Sequence, residues 1–178
     1  GEKTIRGSIA SIQRQTVSNI RIVVVNDGST DATLAILNEL ALNDPRLQII
    51  SKPNSGIVDA LNTGLEFCQS EFIARHDADD LAYPERFAAQ IAYLTANPDC
   101  IAVSCSARHI DENDRPTGTH VVPKSPKLAD PAWIPCKEPY LLHPFLMIRR
   151  ANLVAMGGYR ECQASEDSDL YWRLQETG

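Results

Sequence analysis

No apolar stretch in this 178-residue chain approaches the roughly 20 residues that a bilayer-spanning helix needs. The opening Gly1-Glu2-Lys3-Thr4 is polar and lacks the pattern of a secretory leader. The five cysteines (Cys68, Cys100, Cys105, Cys136 and Cys162) are odd in number, and none stands in a CxxC pair. That argues against a disulfide framework and against a zinc site, and leaves buried free thiols in a reducing compartment as the expectation. A cytoplasmic setting follows, peripheral to the inner face of a membrane at most. The dinucleotide GxGxxG, the P-loop, the hydrolase GxSxG and the zinc HExxH are all missing, so four common enzyme classes lose their main support. Basic charge is also scarce. With 17 Lys and Arg against 23 Asp and Glu the net charge is −6, and Arg149-Arg150 is the only tight basic pair. An acidic chain without a basic patch repels polyanions, which disfavours nucleic acid as a partner.

What is present is ordinary globular composition, 43% hydrophobic, in a length that suits one domain over 1–178. Ile5, Ile9 and Ile12 recur at helical spacing and predict a helix over Thr4 to Gln15. The β-branched run Ile20 to Val25 predicts a buried strand that stops at the turn signal Asn26-Asp27-Gly28. Ser29-Thr30-Asp31 offers caps for a helix carrying Leu34, Leu37, Leu40 and Ala41. Leu47 to Ile50 reads as a strand, and Ser55-Gly56 opens a helix with Ile57, Ala60, Leu61, Gly64 and Leu65 on one face. Phe72 to Ala74 and Ile101 to Ser104 read as further strands, flanking a helix with Pro84 in its first turn and Phe87, Ile91 and Leu94 behind it. Arg108 to Pro139 is polar and proline-containing, and predicts a hairpin and a mobile loop. Phe145 to Ile148 reads as a strand and Ala151 to Met156 as a short helix; after a Gly157-Gly158 turn, Ser165 caps a last helix that starts with Glu166 and Asp167.

Strands alternating with helices imply a mostly parallel sheet covered on both faces, with ligands outside the carboxyl ends of its strands. That rule singles out Asn26 to Thr30 and Asp77 to Asp80. Asp77, Asp79 and Asp80 repel one another, and a fold tolerates such a cluster best beside a cation; hard oxygen donors suit magnesium or manganese. The plainer reading is a solvated acidic loop before a helix. A carboxylate at Asp27 can accept a base N–H while Gly28 allows close approach, although a capped turn explains the same residues. Lys52, Pro53, Asn54, Ser55 and Gly56 form a polar helix entrance that suits an anion. Glu166 and Asp167 either favour a helix dipole or supply a general base. His76 and His143 adjoin these segments, whereas His109 and His120 read as solvated. Trp172 reads as helix packing, with Trp133 a candidate for stacking on a sugar.

In order, these segments resemble family 2 glycosyltransferases of the GT-A fold. The resemblance rests on Ser11 to Thr16, Ile22 to Asp31, Asn54-Ser55-Gly56 with Ala60-Leu61-Asn62, and Ala74-Arg75-His76-Asp77-Ala78-Asp79-Asp80 with Pro84-Glu85-Arg86. It continues through His143-Pro144 to Arg149, Gly157-Gly158-Tyr159-Arg160 and Glu166-Asp167-Ser168-Asp169-Leu170. It implies a Rossmann-like three-layer α/β/α fold and an inverting transfer from a nucleotide-diphosphate sugar, UDP-linked by family habit. The acceptor would be a hydroxyl of a glycan or lipid-linked intermediate in polysaccharide or cell-envelope assembly. By position Asp27 would meet the base, with Gly28, Ser29, Lys52, Asn54 and Gly56 around the nucleotide. Asp77 and Ala78 would lie by the ribose, Asp79 would hold Mn2+ or Mg2+, and Asp167 would be the base. Asp80, His143 and Glu166 would support them. Asn26 stands where the family often has aspartate. The family's opening strand, with its Pro-x-Tyr-Asn end, and its segments after the Glu-Asp helix have no counterpart here, so a catalytic-domain fragment is expected. A non-catalytic nucleotide-sugar-binding domain is the alternative. A phospho-acceptor receiver domain fits poorly, because the acids cluster on one strand end and no suitable Lys follows Ile101 to Ser104.

Overall fold

The computed structural model describes residues 1–121, 141–162 and 166–177. Trp133, Cys136 and the Ser165 cap therefore lie outside the described residues, as does most of the loop expected before Pro139. The order of elements is α1 (Ile5–Gln13), β1 (Ile22–Asp27), α2 (Thr33–Asn43), β2 (Leu47–Lys52), α3 (Ile57–Phe67), β3 (Phe72–Ala74), α4 (Arg86–Ala96) and β4 (Ala102–Val103). A hairpin of β5 (Ala107–Ile110) and β6 (Pro116–His120) follows, then a 3-10 turn at His143–Phe145, β7 (Met147–Arg149), α5 (Arg150–Ala155) and α6 (Glu166–Thr177).

Strand β1 pairs in parallel with β2 from Ile22 opposite Leu47 to Asp27 opposite Lys52. Strand β7 lies between β3 and β4 and runs antiparallel to both, so β3 and β4 share a direction. Among the described residues the parallel pairing is thus confined to β1–β2, and the sheet of β3, β7 and β4 is antiparallel where a mostly parallel sheet was expected. The segment from His143 to Arg149 has little sequence signal for its direction, because a short buried run reads alike either way up.

Alternation along β7 divides the core. Met147 joins Ile5, Ile9 and Ile12 of α1, Leu37 of α2 and Phe87 and Leu94 of α4 on one side. Leu146 and Ile148 join Leu153 of α5 and Leu170, Tyr171 and Leu174 of α6, with Val58, Leu61 and Leu65 of α3 against them. Successive strand residues point to opposite faces, so each face receives its own helices, and three layers result. Each fully buried leucine contributes about 1.5–3 kcal/mol. Ile57 departs from the expected inward face of α3 and is half exposed. Arg149 and Arg150 are used structurally: Arg149 donates to the Leu94 and Cys100 carbonyls at 2.6 and 3.0 Å, and Arg150 to the Cys68 carbonyl at 2.6 Å.

Pro84 sits two residues before α4 rather than inside it; its carbonyl accepts the Thr16 N–H at 2.9 Å. Ala32 rather than Ser29, Thr30 or Asp31 is the N-cap of α2, though Asp31 still accepts the Thr33 N–H at 3.0 Å. Cys68, Cys100, Cys105 and Cys162 are free thiols; the first three are partly buried rather than buried, and Cys162 is exposed. Trp172 is partly buried within α6, and His109 and His120 are exposed on the hairpin. Among the described residues, no helix is long and apolar enough to cross a membrane.

Candidate active site

The β1–β2 register places Asp27 beside Lys52 at the carboxyl ends of two parallel strands. The Asp27 carboxylate accepts the Ser55 N–H at 3.0 Å and the Gly56 N–H at 2.9 Å, and so holds the entrance of α3. Burial alone would raise its pKa, but these bonds and the charge of Lys52, 3.9 Å away, together hold it below the usual carboxylate range. Lys52 pairs with Asp59, and the Ser55 hydroxyl lies 2.6 Å from the same carboxylate. Gly28 has φ +71°, and a Cβ there would lie 2.6 Å from the Asn54 backbone nitrogen. Asn54 in turn donates from Nδ2 to the Asp27 carbonyl at 2.9 Å. Ser29, Asn54 and Gly56 are exposed at this rim.

The second group follows β3. One carboxylate oxygen from each of Asp77, Asp79 and Asp80 lies within 4.8 Å of the others, with Asp79 and Ala78 exposed and the other two acids partly buried. Burial, then the charges of Asp77 and Asp79, push the Asp80 carboxyl up to about 6. The loop is tied down by α1. Ser8 Oγ donates to the Asp77 carbonyl at 2.9 Å, Ser11 Oγ accepts the Ala82 N–H at 3.0 Å, and Gln15 bridges the Tyr83 carbonyl at 2.8 Å and the Phe87 N–H at 3.0 Å. All three side chains are buried. Beneath the loop Arg86 donates to the Arg75 carbonyl at 2.6 Å and approaches His76 Nδ1 at 3.3 Å. Burial, and then Arg86, press the His76 pKa down to about 4, so the ring is neutral and accepts from the guanidinium.

The third group lies across from β3. His143 is buried, with Nε2 3.3 Å from the Tyr159 hydroxyl. Burial, then the charge of Arg75, lower its pKa against the opposing pull of Asp167, Glu166 and Asp77. Burial raises Tyr159 to about 12 and keeps it a phenol, with Arg75, Glu166 and Asp77 again in its field. The His143–Tyr159 pair thus feels charge both from Asp77 after β3 and from the acids that open α6. Asp167 is partly buried and accepts the Ser168 N–H at 2.8 Å. Asn62 of α3 fixes the loop that delivers Tyr159: its Nδ2 donates to the Tyr159 carbonyl and its Oδ1 accepts the Tyr159 N–H, both at 2.9 Å. Sequence reasoning gave no role to Arg75, Tyr159 or the Ser8-Ser11-Gln15 tether, although all but Ser8 stand in the segments that carry the resemblance. The tether had a signal, polar residues at 8, 11 and 15 interleaved with the apolar positions Ile5, Ile9 and Ile12.

A family model described as glycosyl transferase family 2 matches residues 1–156. The chain belongs to that family. This family 2 chain is 31% identical to a putative glycosyltransferase, EpsE, of Bacillus subtilis, over 99% of its own length and 64% of the relative's. It is 41% identical to an uncharacterized glycosyltransferase of Haemophilus influenzae over 64% of its length and 35% of that protein. It therefore spans from about a third to just under two thirds of those relatives. Among solved structures, the mannosyltransferase PcManGT of Pyrobaculum calidifontis, in complex with GDP-Man and Mn2+, superposes with a TM-score of 0.70 at 23% identity, covering 93% of this chain and 46% of that one. TarS 1-349 of S. aureus, in complex with UDP-GlcNAc, gives 0.70 at 24%, covering 98% and 50%. The fold of this family 2 chain is GT-A.

Proposed function

We propose that the chain carries the catalytic centre of an inverting, metal-dependent glycosyltransferase. It takes a sugar from a nucleotide diphosphate, UDP in the first instance, to an acceptor hydroxyl in polysaccharide or cell-envelope glycan assembly. The observation that supports this most is that buried His143 lies in the field of Asp77, from the cluster after β3, and of Glu166 and Asp167, which open α6. A charged acceptor base must face the place where the donor's phosphates are held, and two separate acidic groups around one buried histidine meet that need.

The residues present fit a divalent cation. Three hard carboxylate oxygens lie within 4.8 Å, and the Asp80 carboxyl is raised first by burial and then by the like charges of Asp77 and Asp79, which a cation would relieve. Asp79, the most exposed, is the principal ligand, with Asp77 toward the ribose and Asp80 in support. When bound, the metal supplies positive charge for the departing diphosphate. Asp27, Gly28, Ser29, Lys52, Asn54 and Gly56 form the nucleotide end, where Asp27 orders the α3 entrance against the base. Asp167 takes the acceptor's proton as the acceptor oxygen bonds to the anomeric carbon and the bond from that carbon to the phosphate oxygen breaks. Glu166 and His143 support Asp167 through the charge they share around it. One displacement inverts the sugar carbon, and no bond to the enzyme forms. Solved structures of this fold bind GDP-Man in one case and UDP-GlcNAc in another, so the base is set by the rim rather than by the fold.

Titrating UDP into the whole protein with Mn2+ or with EDTA tests the site. Binding is expected to need the metal, and Asp79→Asn to weaken it by at least about 10–100-fold, the loss that changing even a supporting partner of a metal site causes. Equal UDP affinity in Mn2+ and in EDTA would sink the proposal.

A further inference from the structure

Arg75 has no part in the chemistry above, yet it is the cation nearest the acidic cluster. Its Nη1 pairs with Asp77 Oδ1. The side chain is 12% exposed against 34% for Asp77, so the guanidinium is largely out of water while the carboxylate still reaches it. Arg46, by contrast, places Nε and Nη2 on the two oxygens of Asp44 at 3.0 and 2.8 Å, and Arg6 places both Nη atoms on Glu39 at 3.2 and 2.8 Å. Those are two-pronged structural grips. Arg75 makes a one-pronged contact, and its buried Nε has no hydrogen-bond partner among the described residues. The backbone around it is fixed: its N–H donates to the Leu146 carbonyl at 2.7 Å, and its carbonyl accepts from Arg86 at 2.6 Å. Only the guanidinium is at liberty to turn, and its Nε is a donor that nothing among the described residues uses.

We propose that Arg75 is the resident counter-cation of the acidic cluster, which yields Asp77 to the divalent cation and turns to a diphosphate oxygen of the donor, so that metal and nucleotide bind as a coupled pair. This rests on the metal-dependent donor site proposed above. A guanidinium fork matches phosphate oxygens, so the freed group has a partner only when the nucleotide is present. Without nucleotide, the metal must displace the guanidinium uncompensated. Coupling of this kind is reciprocal: UDP tightens Mn2+ by the factor by which Mn2+ tightens UDP.

The test measures Mn2+ affinity, by the loss of the free-ion paramagnetic signal, with and without UDP on the whole protein. Wild type is compared with Arg75→Gln, Arg75→Lys and Asp79→Asn. Arg75→Gln is expected to bind Mn2+ about tenfold more tightly than wild type without UDP, the scale of one charge-assisted hydrogen bond. The tightening that UDP produces shrinks by a similar factor. Arg75→Lys keeps the charge and stays near wild type. If Arg75→Gln binds no more tightly while Asp79→Asn abolishes Mn2+ binding, the counter-cation role fails and the metal site stands. An equal gain in Arg75→Lys also overturns the role, because the charge would not be the cause. Mn2+ affinity with UDP that Asp79→Asn leaves unchanged removes the metal site and this proposal together.

Discussion

Asp167→Asn is expected to lower the turnover of sugar transfer by about 10²- to 10⁴-fold, the usual contribution of a positioned general base. UDP affinity in Mn2+ should stay at the wild-type value. The substitution keeps shape, and the amide oxygen still accepts the Ser168 N–H that Asp167 holds at 2.8 Å, so α6 starts as before. What it removes is the capacity to accept a proton from the acceptor. An interaction made only in the transition state lowers kcat and kcat/KM together. Glu166→Gln separates the neighbours, because Glu166 acts on the field around His143 and Tyr159 and its loss should cost far less. Turnover that survives in Asp167→Asn would reassign the base.

Gly28→Ala should disable the nucleotide end. Its φ of +71° costs an L-residue about 1–2 kcal/mol. The added Cβ would also lie 2.6 Å from the Asn54 nitrogen and 2.9 Å from its Cβ, and backbone cannot swing aside as a side chain can. Overpacking of this kind adds about 1–3 kcal/mol. A total of about 2–5 kcal/mol is expected in urea denaturation, together with a marked loss of UDP affinity, because moving Asn54 moves Ser55 and Gly56 off Asp27. Gly157→Ala is the control. Its φ is +81°, but a Cβ there meets nothing within 4 Å, so only the conformational part remains. Equal losses at the two positions would show that the approach of Asn54 is not what Gly28 serves.

Much of this was legible in the sequence because it is local. Apolar periodicity located each helix and most strands to within about two residues, and strand ends carrying Asp27 and Asp77 follow from the alternation of elements. Helix starts were read less well. Asp31 and Pro84 are turn formers whose useful atoms reach one or two residues past themselves, so they mark the neighbourhood of a start and not its first residue. The direction of β7 and the meeting of His143 with Tyr159 depend on residues distant in the chain, which no local pattern encodes. Arg75 was hidden for another reason. An arginine at a strand end reads as surface charge, and only its burial beside Asp77 sets it apart.

The place of β7 also bears on the order in which the molecule is completed. Strands β3 and β4 are synthesised long before the strand that joins them, and pairing at such separation is slow to form. On the ribosome the acidic cluster emerges early, yet its approach stays unanchored until the Leu146 carbonyl arrives to bind the Arg75 N–H. Pulse-labelled hydrogen exchange during refolding should protect the Ile22 amide, bonded to the Arg46 carbonyl, before that of Arg75. Simultaneous protection would refute this order. In the expected sequence, a nascent chain already carries its aspartates while it still lacks the frame that aims them.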